Sequence, residues 1–578
     1  LNRLTPLRIA SLSVIILMIV AIPCGCEKSP APNEPAEDQG AVDVPQAEST
    51  GMFTNVAGEL GIRFERQSGA EGDFYLPEIL GGGGAFLDYD GDGDLDVYLV
   101  QGGRLADSGT VRNAGNALYR NDGGTFTDVS ASLGAADTGY GLGVACADFD
   151  NDGDTDIYIT NAGKNSLLRN DGGRFVDVTD VSGTGGDALS TSAMWVDFDN
   201  DGFLDLYVVN YVNWSAAGEY PCYTASGIRD YCPATRYVRR SADRLYRNLG
   251  ADRFEDVTES SGVGGTKEAG IGVTAGDYDG DGDEDMFVTN DGSADFLWIN
   301  DGLGRFREIG LESGCGYDGD GEWRTAGGAI TIDLEKAGGW NLYLAGGADG
   351  PNLAYRFSDG FCSEENMIIG SQAWSYASAG YGIVCIDYEN TSRAAVYFAN
   401  GDRYVNLEPS DEGSPFAQYD QVYFPVGQEL IGENTVRRLL TSSEPIPSRG
   451  VASGDFDGDG DVDLLVTGHR GAVQLLRNDH ADDVARYLIV QLEGTTTNRS
   501  GIGSVITVET AFGQTKKQVR PNEGCFSSSD VRVHFGLGAT MMVPRITVRW
   551  LDGKSEAWEN VSADQVLTLR QGSGESVP

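Results

Sequence analysis

Asp88-Tyr-Asp90-Gly-Asp92-Gly-Asp94-Leu-Asp96 sets carboxylates at positions 1, 3, 5 and 9 of a nonapeptide, with glycine at position 6. That spacing builds an oxygen cage for a hard cation. Ca²⁺ takes six to eight oxygens, and the glycine permits the sharp turn after which position 7 offers its backbone carbonyl. Four more copies follow: Asp148, Asp150, Asp152, Asp154, Asp156; Asp197, Asp199, Asp201, Phe203, Asp205; Asp277, Asp279, Asp281, Asp283, Asp285; and Asp455, Asp457, Asp459, Asp461, Asp463. Without a metal, four convergent carboxylates would repel one another. Position 12 excludes an EF-hand, because Leu99, Ile159, Val208, Val288 and Val466 stand where a bidentate Glu is required. The expectation is about five Ca²⁺ sites, one per loop, with a chiefly stabilising role.

A second cluster lies in the stretch 210–241, where Trp214, Tyr223, Arg229, Tyr231, Arg236 and Tyr237 gather aromatic and basic side chains in an acidic chain. Stacking and charge-assisted hydrogen bonds would suit a glycan or an acidic polymer. The competing reading is a flap packed over the rest of the fold. Cys222 and Cys232 have a spacing that suits a local disulfide, and Cys315 and Cys362 form a weaker candidate pair. Cys146 and Cys385 each precede a first-position Asp by two residues and read as core. With three His and no close C-x₂-C pair, zinc is not indicated. Nor is there a G-x-S-x-G, a phosphate-cradling loop or a Cys–His nucleophile context, so the chain reads as a non-enzyme. Asn498, Arg499 and His534 read as structural.

The elements that carry the loops repeat. A Gly-rich apolar strand precedes each loop, such as 83–88, and a β-branched or aromatic one follows, such as 97–100. A third strand recurs as 117–121, 166–170 and 244–248, each ending in Arg-Asn; a fourth recurs as Phe126-Thr-Asp-Val129, Phe175-Val-Asp-Val178 and Phe254-Glu-Asp-Val257. Four strands per unit make the blade of a β-propeller. Two units have lost most of their acids, at Asp333 and Asp387, which brings the count to seven. The seventh lacks its F-x-D-V strand, and a spare one, Phe53-Thr-Asn-Val56, precedes the first unit. The predicted fold is therefore all-β: a seven-bladed β-propeller over 51–482 closed by its N-terminal strand, then a small all-β module over 483–578.

Ahead of the propeller, Arg3 and Arg8 precede an apolar run that ends in Pro23-Cys-Gly-Cys26. Residues 1–25 read as a lipoprotein-type signal with Cys26 as lipid acceptor; a plain secretory signal and an uncleaved anchor are the other readings. Residues 26–50, rich in Pro and acid, read as a disordered tether. The net charge of −47 excludes nucleic acid as a partner, since phosphate contacts need clusters of Lys and Arg.

The repeats resemble the FG-GAP (VCBS) repeats of integrin α-subunit propellers. The C-terminal stretch resembles the ASPIC/UnbV domain through Asn498-Arg499, Gly501-Ile-Gly503, His534-Phe-Gly-Leu-Gly538 and Trp550-Leu-Asp-Gly553. Together they are similar to the family of cartilage acidic protein and its bacterial relatives. That resemblance implies an extracellular calcium-binding propeller and no defined activity. The expected function is an exported, membrane-anchored, monomeric binding or adhesion module for a glycan, matrix or protein ligand, facing the periplasm or cell exterior. A calcium-dependent enzyme acting on extracellular polysaccharide and a purely structural scaffold are the alternatives.

Overall fold

The computed structural model describes residues 53–577 except 106–110, 113–114, 225, 320, 334–339, 348–349, 359, 365–377, 404–415, 424–438, 441–444, 480–483 and 512. The signal segment 1–25, Cys26 and the tether 26–50 lie outside the described residues.

The all-β propeller expectation is borne out. Among the described residues the propeller strands form five separate four-stranded antiparallel sheets and one eight-stranded sheet over 270–364, in which a fourth and a fifth unit are joined by pairing of Asp291 with Thr325. In the first unit they are Gly84–Leu87, Asp96–Leu99, Ala117–Asn121 and Phe126–Asp128. The later units begin with Gly141–Ala147, Ser190–Val196, Gly270–Gly276, Arg324–Ile332, Gly380–Ile386 and Ser448–Gly454. These seven first strands pack against one another in that order, and the last packs against the first. Every residue of Gly141–Ala147 is buried, as expected of a strand enclosed on both faces. Small residues set the spacing: a Cβ on Gly143 would meet the Thr191 carbonyl oxygen at 2.5 Å.

The closing strand is Phe53–Asn55. It pairs antiparallel with Gln474–Asn478, Phe53 opposite Asn478 and Asn55 opposite Leu476. Its context repeats the end of an ordinary unit. A helical turn, Ala57–Leu60, follows and stops at Gly61 in the left-handed conformation, as Ser130–Leu133 stops at Gly134. In the ordinary unit Asp128 accepts from the Ser130 N–H, and the Ser130 hydroxyl accepts from the Leu118 N–H. Here the Asn55 side chain accepts from both the Ala57 and the Leu475 N–H.

The C-terminal module has two sheets. Arg486–Glu493 lies between Val533–Gly538 and the parallel strand Val566–Arg570. The other sheet runs Gly513–Gln518, Val505–Thr510, Met542–Arg549, Ser555–Ser562, Glu575–Val577. The module shares its core with the propeller: Leu488, Ile506, Phe535 and Trp550 belong to one buried cluster with Phe149 and Trp195 of the second and third units.

One connection leaves the module and enters the ring. Along 522–530 the backbone meets the first strand of every unit. Ser528 exchanges hydrogen bonds with Gly84 and Phe86, the Val144 N–H donates to the Phe526 carbonyl, and the Ser192 hydroxyl accepts from the Phe526 N–H. The Val273 N–H donates to the Gly524 carbonyl, the Gly524 N–H to Ala329, and the Asp530 N–H to Ser453. For the sixth unit the contact is steric, since a Cβ on Gly524 would lie 2.9 Å from the Ile383 carbonyl oxygen. The segment fills the bore, and Phe526, 1% exposed, packs there with Tyr140, Leu142 and Tyr381. Phe526→Ala is expected to cost about 3–5 kcal/mol of unfolding free energy in denaturant titration. A loss below about 1 kcal/mol would mean that backbone contacts alone hold the segment.

Candidate metal centres

Each loop is fastened at its two ends by carboxylates that serve as hydrogen-bond acceptors. Position 1 holds the turn: Asp88 accepts from the Gly91 N–H at 2.8 Å and from the Gly93 N–H at 3.0 Å. Asp148 does the same for Asp152 and Gly153, and Asp455 for Gly458 and Gly460. The glycine at position 6 has positive φ in all five loops (Gly93, Gly153, Gly202, Gly282, Gly460), a conformation that a Cβ disfavours. Position 9 opens the second strand and is fully buried. Asp96 accepts from the Tyr89 N–H at 3.1 Å and the Asn121 N–H at 2.8 Å.

The carboxylates of positions 1, 3 and 9 converge. In Asp88/Asp90/Asp96, Asp148/Asp150/Asp156, Asp197/Asp199/Asp205, Asp277/Asp279/Asp285 and Asp455/Asp457/Asp463 the candidate ligand oxygens lie within 4.8 Å of one another. These triads could hold a metal ion. Each carboxylate oxygen carries two lone pairs, so an oxygen bound to one amide can still face a cation. An all-oxygen donor set of this kind fits a hard ion. Position 5 stands outside the triads: Asp92, Asp152, Asp201, Asp281 and Asp459 each accept from the position-7 N–H. The position-7 side chains reach neighbouring groups, Asp94 to the Gly123 N–H, Asp154 to the Gly172 N–H, and Asp283 and Asp461 to Asn200 and Asn390. Phe203 leaves only its backbone for that role. The loop at Asp387 keeps the position-1 bonds, to the Thr391 and Ser392 N–H, without a triad among the described residues.

Burial, reinforced by neighbouring carboxylates, pushes these acids up. Asp96 and Asp285 rise to about 8, and Asp148, Asp197 and Asp455 to about 7. Asp156, Asp205 and Asp463 lie well above the ordinary carboxylate range. Free of metal, the loops therefore hold protons near neutrality, and a cation would displace them.

Two features escaped the sequence reading. The Asn that ends the third strand clamps the ring. Asn170 donates to the Tyr89 carbonyl of the preceding unit, Asn248 to Phe149, Asn300 to Phe198 and Asn478 to Tyr388, and Asn121 donates to Phe456 of the seventh unit, so among the described residues the clamp recurs at five junctions between units. Its recurrence at the end of the third strand, in four Arg-Asn copies and one Ile-Asn copy at Asn300, was the available signal. The second is that the module docks on the loops. The Arg499 N–H donates to Asn151 at 2.7 Å, with its guanidinium 4.0 Å from Asp148. Arg532 reaches the Gly93 carbonyl, the Ser392 hydroxyl the Gly536 carbonyl, and the His534 ring the Gly460 carbonyl. Burial pushes His534 down to about 3, so it stays neutral. Asn498 is buried and bonds Ile502 through both side-chain atoms.

The stretch 210–241 divides. Cys222 and Cys232 form a disulfide beneath a ribbon of Cys222–Tyr223 and Arg229–Asp230, and Cys315 is bonded to Cys362. Tyr231 and Tyr237 are buried and donate to Glu78 and Glu219; Trp214, partly buried, donates to Glu219. These three rings belong to a packed flap. Tyr223, Arg229 and Arg236 remain at the surface, Arg229 lying over Phe74. Cys146 is a buried free thiol and Cys385 a partly buried one.

Comparison with known proteins agrees with this architecture. Residues 88–159, 148–208 and 227–288 match the FG-GAP-like repeat, and residues 494–576 match ASPIC and UnbV. The chain is similar to cartilage acidic protein 1 of Mus musculus, 24% identical over 361 residues, 59% of this chain and 51% of that one. To the Homo sapiens protein it is 22% identical over 378 residues, 62% of this chain and 52% of that one. It thus spans about half the length of these curated relatives. Among solved structures it resembles an Agrocybe aegerita lectin that recognises non-reducing terminal N-acetylglucosamine (TM-score 0.33, 15% identity, 70% of this chain, 92% of that one). It also resembles the exotype rhamnogalacturonan lyase YesX (TM-score 0.35, 13% identity, 69% and 72%).

The raised acids fix the sign of a pH effect. Stripped of divalent ions, the folded chain binds more protons than the unfolded one between the ordinary carboxylate range and about 8. Stability in that state is highest at low pH and falls as pH rises through 7 and 8. Thermal melts of the stripped chain should fall from pH 5 to pH 8, and saturating divalent cation should flatten or reverse that slope. A stripped chain that gains stability over this range would contradict the assignment.

Proposed function

We propose that this chain of FG-GAP-like repeats with an ASPIC and UnbV domain is an exported, calcium-stabilised binding module, tethered through Cys26, that engages a macromolecule outside the cytoplasm without catalysing a reaction. The observation that carries the reading is the division of labour between the two faces. Loops between first and second strands share one face with the turns between third and fourth strands, and the C-terminal module sits there. Connections from second to third strand, and from one unit to the next, emerge on the other face, which the described residues of the module leave uncovered. Exposed Tyr220, Tyr223 and Trp323 lie on those connections. Large rings left at the surface of a rigid scaffold are what a binding face needs.

Calcium supports this role indirectly. Oxygen-only triads with a glycine-bent loop suit Ca²⁺ over softer metals, and extracellular calcium modules bind at roughly 10⁻⁴–10⁻³ M, so millimolar calcium keeps them filled. The acids of one loop then draw together, holding first and second strands in register under the module. Two disulfides fit an oxidising compartment.

Calorimetric titration of the body from residue 51 onward should show about five Ca²⁺ sites of that weak class, with Mg²⁺ a poor competitor. An array of glycans and matrix proteins, probed with calcium and with chelator, should then yield a ligand that the chain returns chemically unchanged. Cleavage of the bound polymer would make the chain an enzyme, and silence across all classes would leave a scaffold.

A further inference from the structure

On the uncovered face an open groove of about 690 Å³ runs between the flap and the connections that enter and leave the fourth unit. It is lined by Arg239 and Arg240 of the flap, Lys267 and Glu268 ahead of the fourth unit, and Tyr317 and Trp323 beyond it, over a floor of Gly292, Ser293 and Ala294. That volume falls within the ordinary range of ligand sites. Four separate segments build it, which is why the flap's own sequence points only to part of it.

Its charges are unevenly matched. Arg240 is neutralised by Glu268 and also donates to Ser293. Arg239 and Lys267 are exposed, and among the described residues neither charged group has an ion-pair or hydrogen-bond partner. Two unmatched cations in one groove stand out in a chain with net charge −47. Beside them Trp323 is 61% exposed, although burying an indole is ordinarily favourable.

We propose that this groove binds an acidic polysaccharide, with Trp323 stacking on the apolar face of a sugar ring while Arg239 and Lys267 receive carboxylates of neighbouring residues. The proposal rests on the binding-module reading above and names its ligand class. Chemistry favours a sugar over an acidic peptide. Apart from the two rings, the apolar lining is Val238 and Ala294. The floor consists of the small residues Gly292, Ser293 and Ala294, which offer a peptide side chain little apolar surface. A flat indole flanked by fixed cations matches a polymer that alternates apolar ring faces with anionic groups.

The test uses the body from residue 51 onward in calcium, with a hyaluronan octasaccharide as probe, chitohexaose as the neutral control and polyglutamate as the acidic peptide. The octasaccharide should bind and chitohexaose should bind at least about tenfold more weakly. Trp323→Ala, and separately the pair Arg239→Gln with Lys267→Gln, should each weaken the octasaccharide about tenfold or more. All three side chains are exposed, so unchanged melting temperatures check the fold. If polyglutamate binds as tightly and Trp323→Ala is harmless, the groove is a site for acidic peptide. If the octasaccharide binds unaffected by the variants, or fails while another macromolecule is captured, the groove assignment falls and the binding-module reading stands. If the chain captures no macromolecule at all, that reading falls with it.

Discussion

Carboxylates crowded into one small loop repel each other, and the whole face that carries the loops is organised around relieving that repulsion. Backbone amides do part of the work, with both oxygens of Asp88 and Asp96 bonded to N–H groups. A hard cation in the triads would do the rest. At the degenerate loop of Asp333 a module side chain supplies the opposite charge, since Asp333 acts on the Lys516 ammonium. The Lys516 ammonium also sits over the Trp340 ring at 4.3 Å. The module therefore meets a surface of five acidic triads that could hold ions, with a lysine of its own beside the degenerate loop at Asp333.

Position 9 links that electrostatics to the ring. Asp96 holds the backbone N–H of Asn121, and the Asn121 side chain holds the carbonyl of Phe456 in the neighbouring unit. Candidate metal ligand, strand end and inter-unit clamp are thus consecutive steps of one chain of hydrogen bonds, repeated at Asp156–Asn170–Tyr89 and at Asp463–Asn478–Tyr388. Disturbance at one loop is felt by the neighbouring unit because one Asn donates to both.

Much of this was legible in the residues, because a repeat announces itself by spacing. The nonapeptides, the F-x-D-V strand and the orphan copy at Phe53 were enough to place the ring and its closure. The triads followed from positions 1, 3 and 9, although the spacing alone did not reveal that position 5 is spent on its own turn. Hidden were the contacts that join distant parts of the chain. Residues 522–530 have no periodicity, and their partners on the first strands lie from 76 to 443 residues away. In the flap, aromatic composition resembled a binding surface, yet Tyr231 and Tyr237 face inward because Glu78 and Glu219 accept their hydroxyls. Composition records what a side chain is made of and says nothing of which way it turns.

The closing strand and the segment in the bore also constrain the order of assembly. Phe53–Asn55 finds its partner only when Gln474–Asn478 exists, and the bore is filled by residues some fifty positions later still. Single units are built from local pairings and can form as the chain emerges, whereas ring and core depend on contacts of very long sequence separation, which are slow to form. Phe53–Asn55 and residues 522–530 act as two latches on one ring, and neither can engage until the seventh unit has been synthesised.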